Sequence, residues 1–400
     1  MLAVIVVLAS ACETGSNPAP PTIVIASDLP TSGQPANVGS LERAIKLAIA
    51  QHPQIGAFRL SYLPLDDSLG LFPNASLGVQ NVKRMIADPR VMGMIGPFNS
   101  YVIRDQIPRA ALENLAMVSP SSTDVCLTLP PAYCTAGIRA VRATRPNNFF
   151  RITAPEYKQG TAMARWAASL NIKRVAAFNE LGDDGSLYLD HFSDELAGLG
   201  GSLVWREDLP WGTTKFTGFL AKAKAMGAQA IYALGYGSAD ACQARVQMKN
   251  DFGFFLVIEG ATNDSSCNID ATISAAATFG TLNLVDATHS KDPAAAAAFK
   301  AYKDAYPQDK TIADYTFPAY DCALILIEAI QRVVNANGGS APTRAEVLDA
   351  VAHGTLNDGV TGHYKFDAYG DAISPMISIW QVQSGQWTYL QPVDVSPRAS

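Results

Sequence analysis

Charged residues are scarce in this chain, at 16% of its 400 residues, against about a quarter in a typical soluble protein. Lysine and arginine form no basic stripe, and the formal net charge is −6, which argues against a nucleic-acid partner. The apolar content of 48% is sufficient for substantial hydrophobic cores, and the length suits two domains. Composition therefore indicates a folded chain that is neither disordered nor a coiled coil.

Sequence signatures of catalysis and of metal binding are missing as well. The five histidines are far apart, and the chain has no His-Glu-x-x-His, Cys-x-x-Cys, Gly-x-Ser-x-Gly or P-loop pattern. We therefore predict no enzyme activity, no cofactor and no metal site. An exported hydrolase would need a base, and the sequence places none near its hydroxyl-rich loops.

A short apolar run, MLAVIVVLASA, opens the chain and directly precedes Cys12. It has the length of a signal-peptide core and is too short to span a bilayer. The residues before Cys12 resemble a bacterial lipobox, in which the cysteine is lipidated after cleavage. We expect a signal peptide over residues 1–11, a lipidated polar tether over 12–21, and anchorage in the periplasm or on the outer face of the cytoplasmic membrane. The alternative is an ordinary signal peptide with an incidental cysteine.

The other cysteines suggest disulfides, which an exported chain permits. Cys126 and Cys134 flank a Pro-rich loop, and we predict that they are bonded. Cys242 and Cys267 are a second candidate pair. Cys322 lies in an apolar helical pattern and is most simply a buried thiol.

Strand and helix patterns alternate along most of the chain. Two successive βαβ series predict an α/β fold with two doubly wound parallel-sheet lobes. Near the end, two strand-like runs at 376–382 and 387–390 flank Ser384-Gly385, which predicts a hairpin.

The most informative stretch is 94–123, where two buried strands each end in a small polar loop. The first loop carries Asn99 and Ser100, and the second carries Ser121, Ser122 and Thr123. Loops after the carboxyl ends of parallel strands face the ligand crevice, where hydroxyl and free N–H groups suit a carboxylate. The alternative is that residues 121–123 merely cap the following segment.

Several motifs, in this order and spacing, resemble the type I periplasmic solute-binding proteins of the branched-chain amino acid (Leu/Ile/Val-binding) receptor family of ABC importers. They are DLPTSG at 28–33, MIGPFNS at 94–100, MVSPSST at 117–123, IEGATN at 258–263 and DGVTGHYKFDAYGD at 358–371. The resemblance implies two lobes joined by three crossovers, near 148–153, 278–284 and 361–366. Lobe 1 would comprise 22–150 plus 280–362, and lobe 2 would comprise 151–279 plus 363–392, followed by a tail over 393–400.

The same resemblance assigns roles to individual residues. The ligand carboxylate would be held by Ser100 and by the loop of Ser121, Ser122 and Thr123. The ligand ammonium would meet Glu259, and Tyr236 would pack against the ligand. Two aromatic positions of the family differ here, because Val38 occupies one and the acidic pair Asp183 and Asp184 lies at the other. Asp184 could therefore favour a second cationic group or an amide.

The implied function is an extracytoplasmic substrate-binding protein of an ABC importer. It would act as a monomer, capture an amino acid or a related small polar solute by clamshell closure, and deliver it to a membrane permease. The alternative is a ligand-sensing receptor subunit of the same fold that signals to a membrane partner.

Overall fold

The computed structural model describes residues 20–128, 147–181, 183–235, 239–258, 267, 274–282, 292–310, 312–373 and 376–396. These residues form two lobes, each built on a mostly parallel sheet with helices on both faces. The predicted fold class, two doubly wound α/β lobes, is confirmed.

The sheet of lobe 1 has six strands in the order β2-β3-β1-β6-β7-β8. All pairings are parallel except that of the short edge strand β2. The strands are β1 Thr22–Asp28, β2 Gln54–Ile55, β3 Phe58–Leu65, β6 Val91–Ile95, β7 Ala116–Ser119 and β8 Phe149–Arg151, and a separate two-stranded ribbon joins β4 Ser68–Leu69 to β5 Phe72–Pro73.

In the part of the chain that the structure describes, six α-helices surround this sheet: α1 Pro35–Gln51, α2 Ala75–Ala87, α3 Ser100–Ala111, α8 Pro293–Ala305, α9 Thr316–Ala336 and α10 Arg344–His353. Alternation along β1 explains the two layers. Ile23 and Ile25 pack with α1 and α9, whereas Val24 and Ala26 pack with α2 and α3, because successive strand residues point to opposite faces.

The sheet of lobe 2 has seven strands in the order β10-β9-β11-β12-β13-β14-β15. The strands are β9 Arg174–Asn179, β10 Ser202–Asp208, β11 Ala230–Leu234, β12 Phe254–Val257, β13 Ala277–Leu282, β14 Met376–Gln383 and β15 Gln386–Asp394. The last two are the predicted hairpin, and they add an antiparallel edge to an otherwise parallel sheet. The flanking helices are α4 Lys158–Ser169, α5 Asp183–Gly198, α6 Thr217–Ala225 and α7 Ala239–Met248.

Along the described residues, the chain passes between the lobes three times. The first passage follows β8, the second follows Leu282 at the end of β13, and the third lies between α10 and β14. β13 is a strand of the lobe 2 sheet and ends at Leu282, whereas the sequence analysis predicted that lobe 1 resumes at residue 280. Among the described residues, no helix combines the length and hydrophobicity needed to cross a membrane.

A disulfide joins Cys242 on α7 to Cys267, with 5.0 Å between the Cα atoms, which confirms the second candidate pair. Cys322 is buried and free, as expected. Cys126 is disulfide-bonded, but Cys134 lies outside the described residues, so their pairing stays a prediction.

We expect a Cys242→Ala/Cys267→Ala variant to lose about 3 kcal/mol of unfolding free energy, because the bridge closes a loop of 25 residues in the unfolded chain. Urea unfolding of the variant and the wild type under oxidising conditions measures this difference. A loss below about 1 kcal/mol would mean that strain in the folded state offsets the benefit of the bridge.

Candidate functional site

Two loops meet at the carboxyl edge of the lobe 1 sheet, because β6 and β7 are neighbouring parallel strands. The Ser121 hydroxyl donates to the Phe98 carbonyl at 2.9 Å, and the Asp124 N–H donates to the Ser100 hydroxyl oxygen at 3.3 Å. Ser100, Ser121, Ser122 and Thr123 are therefore brought together at one place.

The serine hydroxyls of the second loop donate hydrogen bonds to backbone carbonyls of the first loop. Ser122 donates towards the Pro97 and Phe98 carbonyls at 3.3 and 3.4 Å, and Ser121 also donates to Phe98. Both side chains are buried. Ser100 differs, since its oxygen accepts the Asp124 N–H while its own proton has no acceptor among the described residues.

Backbone N–H groups add to this donor set. α3 begins at Ser100, and Asn99 provides no side-chain cap. The Val102 and Ile103 N–H groups donate to the Asn99 carbonyl, but those of Ser100 and Tyr101 have no acceptor among the described residues, and they carry the positive end of the helix dipole. The Asn99 side-chain oxygen is buried without a hydrogen-bond partner among the described residues. Such a helix start attracts an anion.

Arg151, at the end of β8, donates hydrogen bonds to backbone carbonyls of the second loop. Its guanidinium donates to the Ser122 carbonyl at 3.3 Å and to the Asp124 carbonyl at 2.8 Å. In a trans peptide the carbonyl and the N–H point in opposite directions, so the Thr123 N–H points away from Arg151. That N–H has no acceptor among the described residues, which leaves it available to a ligand.

The same arginine connects the first and third passages between the lobes. Arg151 is fully buried, and its Nε lies 2.6 Å from Oδ1 of Asp371. Thr128 also donates to Asp371, at 2.9 Å. Next to this pair, Gly370 has φ 91°, and a Cβ on it would lie 2.1 Å from the Phe149 carbonyl oxygen. Only glycine permits this close approach.

Glu156, which sequence reasoning missed, lies beside the second loop at the start of lobe 2. Its N–H donates to the Thr123 carbonyl at 3.0 Å, and its carboxylate accepts from the Thr123 hydroxyl at 3.3 Å. The residue is 8% exposed. A buried carboxylate thus lies beside the hydroxyl and N–H donors of the two loops.

Two further buried carboxyl groups, those of Asp28 and Asp67, lie near the site, between the lobe 1 sheet and helices α2 and α3. Asp28 accepts hydrogen bonds from Asn81 and Gln106, and burial raises its pKa to about 7. Asp67 is buried with no partner for either oxygen among the described residues. Burial, with repulsion from Asp28 and Asp66, raises the Asp67 pKa to about 8. Asp66 instead caps its loop by accepting the Ser32 and Ser68 N–H groups.

Several predicted site residues cannot be placed. Tyr236, Glu259 and Cys12 lie outside the described residues, and Asp184 lies in the first turn of α5 with its side chain outside them. Within the described part of the chain, no three His, Cys, Asp or Glu side chains are arranged to hold a metal ion.

The sequence matches the family model of periplasmic binding proteins over residues 22–386. No curated protein shows significant similarity to the chain.

Solved structures share the fold at low sequence identity. A leucine-binding protein of Thermotoga maritima superposes with a TM-score of 0.67 and 22% identity, over 93% of this chain and 99% of that one. A substrate-binding protein of an ABC transporter from Desulfitobacterium hafniense, in complex with Leu, gives 0.73 and 16%, over 92% and 100%. An ABC transporter solute-binding protein from R. palustris, in complex with benzoate, gives 0.64 and 16%, over 94% and 97%.

Proposed function

Because the chain belongs to the periplasmic binding protein family, we propose that it captures a small carboxylate-bearing solute, an amino acid or a related compound, and delivers it to an ABC permease. The observation that carries this proposal is the convergence of the Ser100 hydroxyl, the N-terminus of α3 and the Thr123 N–H at one sheet edge. Hydrogen bonds to a charged acceptor are about twice as strong as neutral ones. Such donors can bind a carboxylate without a buried countercharge.

The two-lobe architecture supports capture by closure. The donor set belongs to lobe 1, and Glu156 follows directly after the first passage into lobe 2. Three passages between the lobes provide a hinge, and hinge closure around a ligand is a common response of such proteins. Two of the solved structures with this fold contain carboxylate ligands, Leu and benzoate.

The N-terminal segment extends the proposal to location. The apolar run before Cys12 and the polar residues after it are typical of an exported lipoprotein. The protein would then stand on the outer face of the cytoplasmic membrane as a monomer, with the lipid on Cys12 as its anchor.

The test is thermal unfolding of the purified protein, free of co-purified solute, against amino acids, aromatic acids, short amides and polyamines. A ligand at a hundred times its Kd adds about 2.7 kcal/mol of stability. We expect a shift with carboxylate-bearing solutes. No shift with any of them would contradict the proposal.

Two variants locate the site. Ser100→Ala removes a hydroxyl donor worth about 1.5–3 kcal/mol to a charged acceptor, so we expect at least about tenfold weaker binding. Ser340→Ala, an exposed loop serine of lobe 1, is the matched control and should bind as the wild type does. Equal affinity in both variants would place the carboxylate elsewhere.

A further inference from the structure

Large apolar side chains are exposed at one edge of each lobe. In lobe 1 they lie on the ribbon of β4 and β5, where Leu69, Leu71 and Phe72 are 69%, 73% and 74% exposed and together form what we call the ribbon tip. In lobe 2, Trp211 is 63% exposed in the connection between β10 and α6. A group of exposed apolar side chains is typical of an interaction site.

Hydrogen bonds hold the ribbon in place from two sides. The Gly33 N–H, in the loop after β1, donates to the Ser68 hydroxyl oxygen at 3.0 Å. The Tyr101 hydroxyl, in the first turn of α3, donates to the Pro73 carbonyl at 2.9 Å. Both strands of the ribbon are thus anchored to lobe 1, so the ribbon tip presents its apolar side chains on a fixed support.

The connection that carries Trp211 is held in the same way. On one side of the tryptophan, the Leu209 N–H donates to the Asn179 carbonyl at 2.8 Å. On the other side, the Thr213 N–H donates to the Glu180 carboxylate at 3.2 Å. The backbone is therefore fixed on both sides of an indole ring that is exposed.

The topology places the two features on facing sides of the lobes. The chain leaves lobe 1 after the carboxyl end of β8 and leaves lobe 2 after the carboxyl end of β13. The carboxyl edges of the two sheets therefore face each other across the cleft. The ribbon follows the carboxyl end of β3, and Trp211 follows that of β10, so both lie on the cleft side.

The two features also lie equally far from the hinge. In each sheet, four strand spacings separate the strand that leads into a passage from the strand that carries the feature, β8 from β3 and β13 from β10. At about 4.8 Å per spacing, each feature lies about 19 Å from its passage. When two lobes rotate about a shared hinge, points at equal distances from that hinge meet.

We propose that Trp211 packs against the ribbon tip when the lobes close, as an apolar latch at the mouth of the cleft. The contact removes apolar surface from water only in the closed form, so it favours closure. The latch rests on the proposed function, since closure around a solute brings the two features together. It adds residues that raise solute affinity without touching the solute.

A double-mutant cycle tests the latch. Isothermal titration with the solute that gives the largest thermal shift compares the wild type, Leu71→Ser/Phe72→Ser, Trp211→Ala and the combination of all three changes. We expect each of the first two variants to bind at least about fivefold more weakly. The combination should bind no more weakly than the weaker of the two, because both remove the same contact. The replaced side chains are exposed, so the fold should be retained.

Two matched controls remove exposed apolar side chains from the opposite edges of the lobes. Leu112, at the carboxyl end of α3, is 46% exposed, and Met226, at the carboxyl end of α6, is 44% exposed. Leu112→Ser and Met226→Ala should bind the solute as the wild type does.

Trp211 also reports its own burial. The chain has five tryptophans, and subtracting the fluorescence spectrum of Trp211→Phe from that of the wild type isolates the emission of Trp211. We expect the solute to shift this emission to shorter wavelength. In Leu71→Ser/Phe72→Ser, analysed against the same background with Trp211→Phe, the shift should be reduced.

The possible failures can be told apart. If the variants bind the solute as tightly as the wild type and the emission of Trp211 does not move, the latch is overturned while the carboxylate site stands. Normal binding with a loss of uptake through the permease, or a wild-type dimer that the ribbon changes dissociate, would assign the surface to another partner and also overturn the latch. If the wild type binds no carboxylate-bearing solute, the proposed function itself is contradicted, and the latch with it.

Discussion

Replacing Asp371 with alanine is expected to lower the unfolding free energy by about 3–5 kcal/mol, the range found when one partner of a buried ion pair is removed. The reason is that the Arg151 guanidinium is fully buried and would lose its charged partner. Thr128, which donates to the same carboxylate, would lose its acceptor as well. Urea unfolding monitored by circular dichroism measures the loss.

A matched control separates burial from the mere loss of a charge. Asp190 pairs with Arg206 at 2.7 Å, but its side chain is 63% exposed. Exposed pairs contribute about 0.2–1 kcal/mol, so Asp190→Ala should change stability by no more than that. If Asp371→Ala cost as little as Asp190→Ala, the Arg151–Asp371 pair would not hold the two passages together.

The second large effect is a loss of stability with rising pH that originates at Asp28 and Asp67. In the folded protein their pKa values are raised to about 7 and about 8 from an ordinary value of 3.8. Below about pH 4 both states are protonated, and the stabilisation is fully present. Above about pH 4 the folded state retains protons that the unfolded state has lost, up to about pH 7 on Asp28 and up to about pH 8 on Asp67. Stability therefore falls by about 1.4 kcal/mol per pH unit for each such carboxyl.

Asp67→Asn removes one of these carboxyls and its repulsion of Asp28. The variant should therefore gain stability relative to the wild type as the pH rises from 5 to 8, by about 3–4 kcal/mol in total. Urea unfolding at pH 5, 6.5 and 8 tests this. Asp105→Asn, an exposed change on α3, is the control and should keep a constant difference from the wild type. A constant difference for Asp67→Asn would contradict the raised pKa.

The sequence predicted those features that depend on local patterns. Apolar runs with helical or alternating spacing identified the two series of strands and helices and the hairpin of β14 and β15. The adjacency of Ser100 and Thr123 followed from a general rule, since loops after neighbouring parallel strands share one edge. The Cys242–Cys267 bridge was one of few candidate pairings in a chain with six cysteines.

Features that depend on distant pairings could not be predicted. Arg151 and Asp371 are 220 residues apart, and nothing near either residue indicates a partner. The contact of Thr123 with Glu156 depends on how the first passage leaves the sheet. Asp66 and Asp67 are adjacent, and the sequence gives no reason to expect different burial for them. In the structure, however, Asp66 caps a loop while Asp67 is buried. Tertiary packing, not local pattern, decides these cases.

The central claim is that a solute carboxylate binds to the donors around Ser100 and Thr123. The most direct test is a crystal structure of the protein with the solute that gives the largest thermal shift. The account predicts carboxylate oxygens within about 2.7–3.2 Å of the Thr123 N–H nitrogen and of the Ser100 hydroxyl. A solute bound in the cleft with its carboxylate away from both groups would contradict the account.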